Sequence, residues 1–321
     1  MSNQTRTLGR TFVLVFAYAV LLPLTKLLTL FSLWPKVSAI VINKAISRGL
    51  RGYVPTSGDV LVCSYFKTGT NWAMYIALQI AHRGRAEFEH IHDVVPWPEM
   101  PPGGRFAIDT ADRETWHANE SGLGVVKVHL PITQIPFVPE ARYLCVVRDP
   151  KDVFVSSYFF VRDVAFGFLM PSVDAWLDLF LSPHTPLGSW AAHLDSCWRV
   201  RSHPNVLFLT YEDMKKDTRA AVSTIAALMG VRLNDEDIDS ITALVQINEM
   251  KRIGHKFDVP GPPWAPSEGA MIRTGQSGNA GSLISAAQQQ RIDVYWHAEL
   301  QQLGSDFPYE EIYGGRRENA R

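Results

Sequence analysis

The sequence predicts an α/β fold: three layers, α/β/α, around a mainly parallel central sheet, preceded by an apolar N-terminal helical segment. Three observations predict it. After residue 52, short runs that are β-branched or continuously apolar alternate with longer helical stretches, as parallel strands and their crossover helices do. Those runs lack the polar–apolar alternation of a half-exposed sheet, so both faces should be covered. Residues able to carry chemistry cluster where the runs end, and open parallel sheets bind ligands beyond their C-terminal strand ends.

At the start of the chain, Phe12–Thr25 (FVLVFAYAVLLPLT) is an uncharged run of 14 residues, and Leu27–Trp34 extends it beyond Lys26. The first run is short of the roughly 20 residues a spanning helix needs, and Pro23 and Lys26 interrupt the longer one. Arg6 and Arg10 precede it, Lys36, Lys44, Arg48 and Arg51 follow, and Trp34 lies at its boundary. Such flanks suit a helix lying in or dipping into a membrane surface. A helix buried against the body or a partner competes with that reading, as does a cleaved signal peptide, although no small-x-small site closes the run. The expected division is 1–52 as an apolar segment, anchoring through residues 12–34 on the cytoplasmic side, and 53–321 as the globular domain.

The strands expected in that domain are Asp59–Tyr65, Gly124–His129, Ala141–Arg148 and Asn205–Tyr211. Helices are expected over Asn71–Arg83, Pro150–Val161, Val173–Leu181, Trp190–Ser202 and Thr218–Met229. Pro96–Arg105 and Asp258–Ala270 hold too many prolines for regular structure and read as long loops, either lids or plain surface connections. The tail Gly314–Arg321 reads as frayed.

Lysine and arginine number 31 against 32 acidic residues, which leaves no general basic field and argues against nucleic acid as a partner. Any anion site must be local. Three scattered cysteines, Cys63, Cys145 and Cys197, make neither a disulfide framework nor a zinc site and read as buried, reduced thiols. His90, His92 and Asp93 are metal-ligand types close together, but without a further spaced partner they read as a solvated loop, and no metal is expected.

The stretch Tyr65–Trp72, YFKTGTNW, leaves a strand and enters a helix. Such a loop is P-loop-like: it aims successive backbone N–H groups at an anion, at the positive end of the helix dipole. Gly69 permits close approach, Thr68, Thr70 and Asn71 offer side-chain donors, Lys67 offers a charge, and Trp72 an aromatic plane. A structural turn remains the alternative. In Arg148–Ser157, RDPKDVFVSS, a strand-end arginine and Ser156 two helical turns on could share one phosphate, or Arg148 could simply pair with Asp149 or Asp152. Lys127–Pro131, KVHLP, places His129 at the edge of the sheet, where a base could reach a substrate hydroxyl.

Together these motifs resemble the cytosolic-type sulfotransferases, which transfer a sulfonyl group from 3′-phosphoadenosine 5′-phosphosulfate (PAPS) to a hydroxyl or amine. The family's Y-P-K-S-G-T-T-W is similar to Tyr65-Phe-Lys-Thr-Gly-Thr-Asn-Trp72, and its K-T-H-L-P to Lys127–Pro131. Its R-[ND]-x-K-D-x-x-x-S falls on Arg148–Ser156, and V-L-x-L-x-Y-E-D-M on Val206–Met214. V-P-x-x-E at Val95–Glu99, G-S-W at Gly188–Trp190, and R-K-G-x-x-G at Arg273–Gly278 are smaller echoes, in the family's order from Asp59 to about Ser285.

The resemblance implies a donor loop for the 5′-phosphosulfate at Lys67–Trp72, and a 3′-phosphate site at Arg148, Ser156 and Arg273 with Thr274 and Gly275. It implies Trp72 and Tyr211 beside the adenine, His129 as general base, Lys67 on the bridging oxygen and Lys127 as a second cation, unless Lys127 is a surface salt bridge. Trp97 and Phe160 would line an acceptor pocket near His129, for a small hydrophobic or lipid alcohol or phenol. The chain departs from the family at Phe66 and at Thr274, where the lysine is missing. It departs further at Asn279–Ser282 in place of D-W-K-N, and Gln246–Met250 is a weak echo of S-F-x-x-M. No K-T-V-E dimer motif is visible. The rivals are a membrane-associated binding protein of this fold without activity, and a P-loop nucleotide kinase, which would need G-K-[ST] and a magnesium-binding aspartate.

Overall fold

The computed structural model describes residues 13–30, 33, 37, 40, 50, 52–100, 108–185, 188–265, 271–273 and 275–314. Four strands, β1 (Asp59–Ser64), β2 (Gly124–Val128), β3 (Arg142–Val147) and β4 (Val206–Thr210), form one sheet in the order β2-β1-β3-β4. Every pair is parallel, with Asp59 opposite Gly124, Val60 opposite Arg142 and Tyr143 opposite Val206. Each strand lies within a residue or two of its expected position because each is dominated by β-branched or apolar residues, fully buried in β1 and β2.

The helices follow in chain order. A π-helical turn, Ala17–Leu21, runs into α1 (Leu22–Leu30); then come α2 (Thr70–Ala81), the short α3 (Arg113–Trp116), α4 (Pro150–Val161), α5 (Val173–Phe180) and α6 (Trp190–Arg199). After β4 come α7 (Tyr211–Lys216), α8 (Thr218–Met229), α9 (Asp235–Leu244), α10 (Ile247–Arg252) and α11 (Ala286–Gln302). Alternate strand residues separate the layers. Val60, Val62, Leu144 and Val146 pack with α2 and α8, while Leu61, Cys63, Tyr143 and Cys145 face Trp116 and Cys197. A third cluster, centred on Phe154, Leu177, Trp190 and Trp296, joins α4, α5, α6 and α11. All three cysteines are buried and free.

Helix α11 was not expected. Its first residues, AAQQQR, show no apolar stripe, yet Ile292, Trp296 and Leu300 recur every four residues and are buried. The sequence does carry its start signal, Ser285 and Gln288, which form a reciprocal capping box. Two further expectations need correction. His90 and His92 are not solvated: both are buried, His90 Nε2 lying 3.0 Å from the Asp258 carbonyl and His92 Nδ1 2.9 Å from that of Val95. Among the described residues no cluster of His, Cys, Asp or Glu could hold a metal ion, and no helix is long and apolar enough to cross a membrane. The flanking Arg6, Arg10, Trp34, Lys36, Lys44, Arg48 and Arg51, much of both proline-rich loops, and all but the first residue of the C-terminal tail lie outside the described residues.

Candidate active site

All four strands deliver their C-terminal ends to one place. The strand order turns at β1, so the crevice between β1 and β3 is the switch point of the sheet, where ligands of such folds bind. Beyond it lies a cavity of about 580 Å³. Lys67–Trp72 enters from β1, His129 from β2, Arg148 from β3 and Tyr211 from β4.

The loop after β1 is held open from within. Lys67 adopts φ 66° and Gly69 φ 103°, left-handed conformations that lift the chain away from the sheet. A Cβ on Gly69 would stand 2.7 Å from Tyr211 Cδ2, so only glycine lets the tyrosine ring lie against the loop. No side chain caps α2 at this end. The first-turn N–H groups of Thr70, Asn71 and Trp72 are thereby left for a ligand. Thr68, expected as a side-chain donor, is fully buried, and its hydroxyl donates to the carbonyls of Tyr65 (2.6 Å) and Val146 (3.2 Å). Thr70 Oγ1 lies 2.6 Å from Ser64 Oγ. Both threonines fasten the loop to the sheet, and Thr68 does not line the cavity.

Cations converge on the cavity with little to offset them. Lys67 Nζ rests 4.0 Å from the centre of the Phe160 ring, and Lys127 Nζ 3.5 Å from that of Trp97. Burial, then the charges of Arg148, Lys127 and Arg273, pull the Lys67 ammonium down to about 7. Burial also draws Lys127 down to about 7, against the pull of Glu99. Lys127 is only 4% exposed, which corrects the surface salt-bridge reading. Arg148 lies 4.4 Å from the Tyr211 ring and donates to the carbonyl of Gln276 (2.7 Å), with Asp152 at 3.4 Å. Its Nε is buried without a partner. Arg273 stacks 4.5 Å from Phe159, and burial followed by the Arg148 charge lowers its pKa.

His129 is 5% exposed. Its Nδ1 stands 2.7 Å from the Ser64 carbonyl, an acceptor, so the ring hydrogen sits on Nδ1 and Nε2 keeps its lone pair. Burial first, then Lys127, holds the imidazole well below its ordinary pKa and therefore neutral. Glu99 fixes this group. Fully buried, it accepts the backbone N–H of His129 (2.8 Å) and Leu130 (2.7 Å) on Oε1, and the indole N–H of Trp97 (2.7 Å) on Oε2. Sequence reasoning saw Glu99 only as the end of a motif, because two of its three partners, the amides of His129 and Leu130, lie about 30 residues away.

Most of the expected residues meet here. Lys67, Gly69, Thr70, Asn71, Trp72, Trp97, Lys127, His129, Arg148, Ser156, Phe160, Tyr211, Arg273 and Gly275 all line the cavity. Thr274 lies outside the described residues. Trp72 is half-buried, not an open plane: it meets Tyr211 edge-on at 5.4 Å, and its indole N–H donates to the Val245 carbonyl. Gln246, Ile247 and Met250, the weakest echo, nevertheless line the cavity. The segment after Arg273 is tied down without the family's lysine: Tyr211 Oη donates to the Gly275 carbonyl, and Gly278 N–H to Asp152. The arrangement is a polyanion site at one end, an apolar, aromatic pocket at the other, and a neutral imidazole between.

Residues 57–304 match the family described as "Sulfotransferase domain". Among characterised proteins, the chain is 28% identical to Sulfotransferase 2A1 of Macaca fascicularis over 263 residues, covering 80% of this chain and 90% of that one. It is 30% identical to Sulfotransferase 1B1 of Canis lupus familiaris over 253 residues, covering 75% and 83%. Among solved structures, a retinol dehydratase in complex with androsterone and the inactive cofactor PAP aligns with a TM-score of 0.61 at 19% identity, over 86% of this chain and 96% of that one. Mouse sulfotransferase SULT7A1 complexed with PAP gives 0.60 at 22% identity, over 78% and 88%. At those identities the structural likeness speaks to the fold.

Proposed function

Because the chain belongs to the sulfotransferase family, we propose that it moves the sulfonyl group of PAPS to the hydroxyl of a hydrophobic acceptor, with His129 as general base. One observation carries the reading: a neutral imidazole with a free Nε2 stands between a pocket of converging cations and an apolar one. The PAP in the two structural relatives supports the same donor.

Sulfonyl transfer is an in-line displacement through a loose transition state, so the protein's task is to position and to neutralise charge. The acceptor oxygen forms its bond to sulfur while the bond from sulfur to the bridging oxygen breaks, and that electron pair leaves on the 5′-phosphate. The acceptor proton passes to His129 Nε2. Lys67 meets the charge growing on the bridging oxygen, Lys127 the sulfonate, and the N–H groups of Thr70–Trp72 the remaining oxygens. Arg148, through its unpartnered Nε, with Ser156 and Arg273, takes the 3′-phosphate that separates PAPS from ATP. The adenine lies against Trp72 and Tyr211. Trp97, Phe160 and their neighbours select an apolar alcohol or phenol. Three buried free thiols suit a reducing compartment such as the cytoplasmic side of a membrane.

Thermal shift with adenosine 3′,5′-bisphosphate beside AMP and ATP tests the donor site. Selective stabilisation by the bisphosphate is expected, and equal shifts would overturn the reading. His129→Ala should lose on the order of 10²–10⁴ in kcat while keeping bisphosphate affinity. Activity within a few-fold of wild type would remove His129 from the mechanism.

A further inference from the structure

The apolar end of the cavity opens toward a short segment, the π-turn Arg162–Phe166 and the 3-10 turn Gly167–Leu169. Val164 and Ala165 line the cavity itself. The segment is pinned from one side by Trp264, whose indole N–H donates to the Ala165 carbonyl at 3.0 Å. From the other side, Phe168 stacks on Tyr18 of the N-terminal helical segment, with ring centroids 3.9 Å apart and planes 13° from parallel. The N-terminal helix therefore rests on the lip of the acceptor pocket.

Ala17 is buried, but much of the helix is exposed. Eight of the twelve exposed large apolar side chains among the described residues lie between Val15 and Ile40, including Phe16, Leu24 and Leu27. So dense a run, six of the eight on the helix itself, marks an interaction surface. Its threonine hydroxyls ask nothing of water, since Thr25 donates to the Leu22 carbonyl and Thr29 to that of Thr25. Charge names the occupant. Seven lysines and arginines precede Asp59, the first acidic residue, so residues 1–58 carry +7 while the remainder of the chain carries −8. An anionic surface attracts this segment and repels the rest, which orients the molecule.

We propose that residues 13–30 lie in the surface of an anionic lipid bilayer and hold the acceptor mouth against it, so that the acceptor enters from the lipid. This rests on reading the apolar end of the cavity as the acceptor pocket. A helix spanning the bilayer is not required: the segment is interrupted by Pro23 and Lys26, and a segment lying in the interface binds through buried apolar area plus the attraction of flanking basic residues to anionic headgroups.

The full chain is sedimented with vesicles of phosphatidylcholine alone and with phosphatidylglycerol added. Sulfonation is measured on a long-chain alcohol dissolved in those vesicles and on a water-soluble phenol. Wild type should sediment with the anionic vesicles. Leu24→Glu/Leu27→Glu should weaken that binding about tenfold or more and lower the rate on the vesicle-borne alcohol correspondingly, with the phenol rate unchanged. Tyr18→Ala, which separates helix from lip, should still sediment but lose rate on the lipid-borne acceptor. Failure of wild type to sediment, or equal losses on both acceptors, overturns the proposal. So does a dimer in sedimentation velocity that the paired glutamates abolish, which would assign the face to a second copy. Bisphosphate binding is measured in parallel: its absence would sink the donor reading and leave the vesicle result to judge the surface.

Discussion

Binding of the spent donor should draw protons from solution. In the empty site Lys67 is held near 7 by burial and by three neighbouring cations, and Lys127 near 7 by burial. A bound phosphate supplies the opposite charge and returns Lys67 toward its ordinary 10.5. Between those two values the complex holds a proton that the free protein lacks. The Lys67 contribution to affinity for adenosine 3′,5′-bisphosphate is therefore flat below pH 7 and falls above it, by up to about tenfold per pH unit, so roughly 50-fold between pH 7 and 9 for one lysine. Calorimetry in buffers of different ionisation enthalpy at pH 8.5 should show uptake approaching one proton, and Lys67→Met should abolish it. The folded state alone shows the opposite slope. With Lys127 lowered in the native protein, the unfolded chain binds more protons between pH 7 and about 10.5, so this group's contribution to stability rises with pH through that window. It amounts to roughly 3–5 kcal/mol across the window. Bisphosphate affinity unchanged from pH 7 to 9 would mean that Lys67 is already charged in the free site, and the reasoning from burial would fail.

Four substitutions probe the supporting structure. Gly69→Ala places a Cβ 2.7 Å from Tyr211 at φ 103° and should weaken bisphosphate binding about tenfold or more. Gly304→Ala, at φ 65° with open space around it, should cost only about 1–2 kcal/mol of stability and no affinity. Glu99→Gln must turn an amide N–H toward either the Trp97 indole or the two backbone N–H groups of His129 and Leu130. A loss of about 2–4 kcal/mol in chemical denaturation, with lower kcat and unchanged bisphosphate affinity, is expected. Lys151→Met removes the cation from Asp293, now 2.6 Å away, and from Asp149, whose pKa burial already pushes up to about 6; destabilisation of about 3–5 kcal/mol should follow, partly recovered by adding Asp293→Asn.

The sequence revealed what local chemistry decides. Val60–Ser64 and Arg142–Val147 could be read as strands because an unbroken apolar run with a polar terminus has few other ways to be buried. Helix α4 was legible to the residue because Pro150 opens it and Asp149 caps it, accepting the Lys151 N–H. Hidden were features that depend on distant partners. Glu99 gains its role from amides at 129 and 130, and α11 its burial from a cluster assembled by α4, α5 and α6. Lys127 was ambiguous for a related reason: strand periodicity gives the face of a side chain, but only the Trp97 loop folding over it decides whether that face is wet.

The threonines of the loop show why residue type alone misassigns a donor. Thr68 and Thr70 are the residues one would choose to bring hydroxyls to an anion site, and the structure turns both hydroxyls inward, onto Tyr65, Val146 and Ser64. A phosphate loop needs its N–H groups aligned and unspent more than it needs further donors, because aligned amides at a helix start act together with its dipole. Fastening the backbone to the sheet from below achieves that alignment. Replacing Thr68 by valine should then weaken bisphosphate binding about as much as it destabilises the fold, since one cause, the loosened loop, underlies both. A Thr68→Val protein of wild-type stability that nevertheless binds the bisphosphate poorly would return the hydroxyl to the ligand, and with it the reading made from residue type.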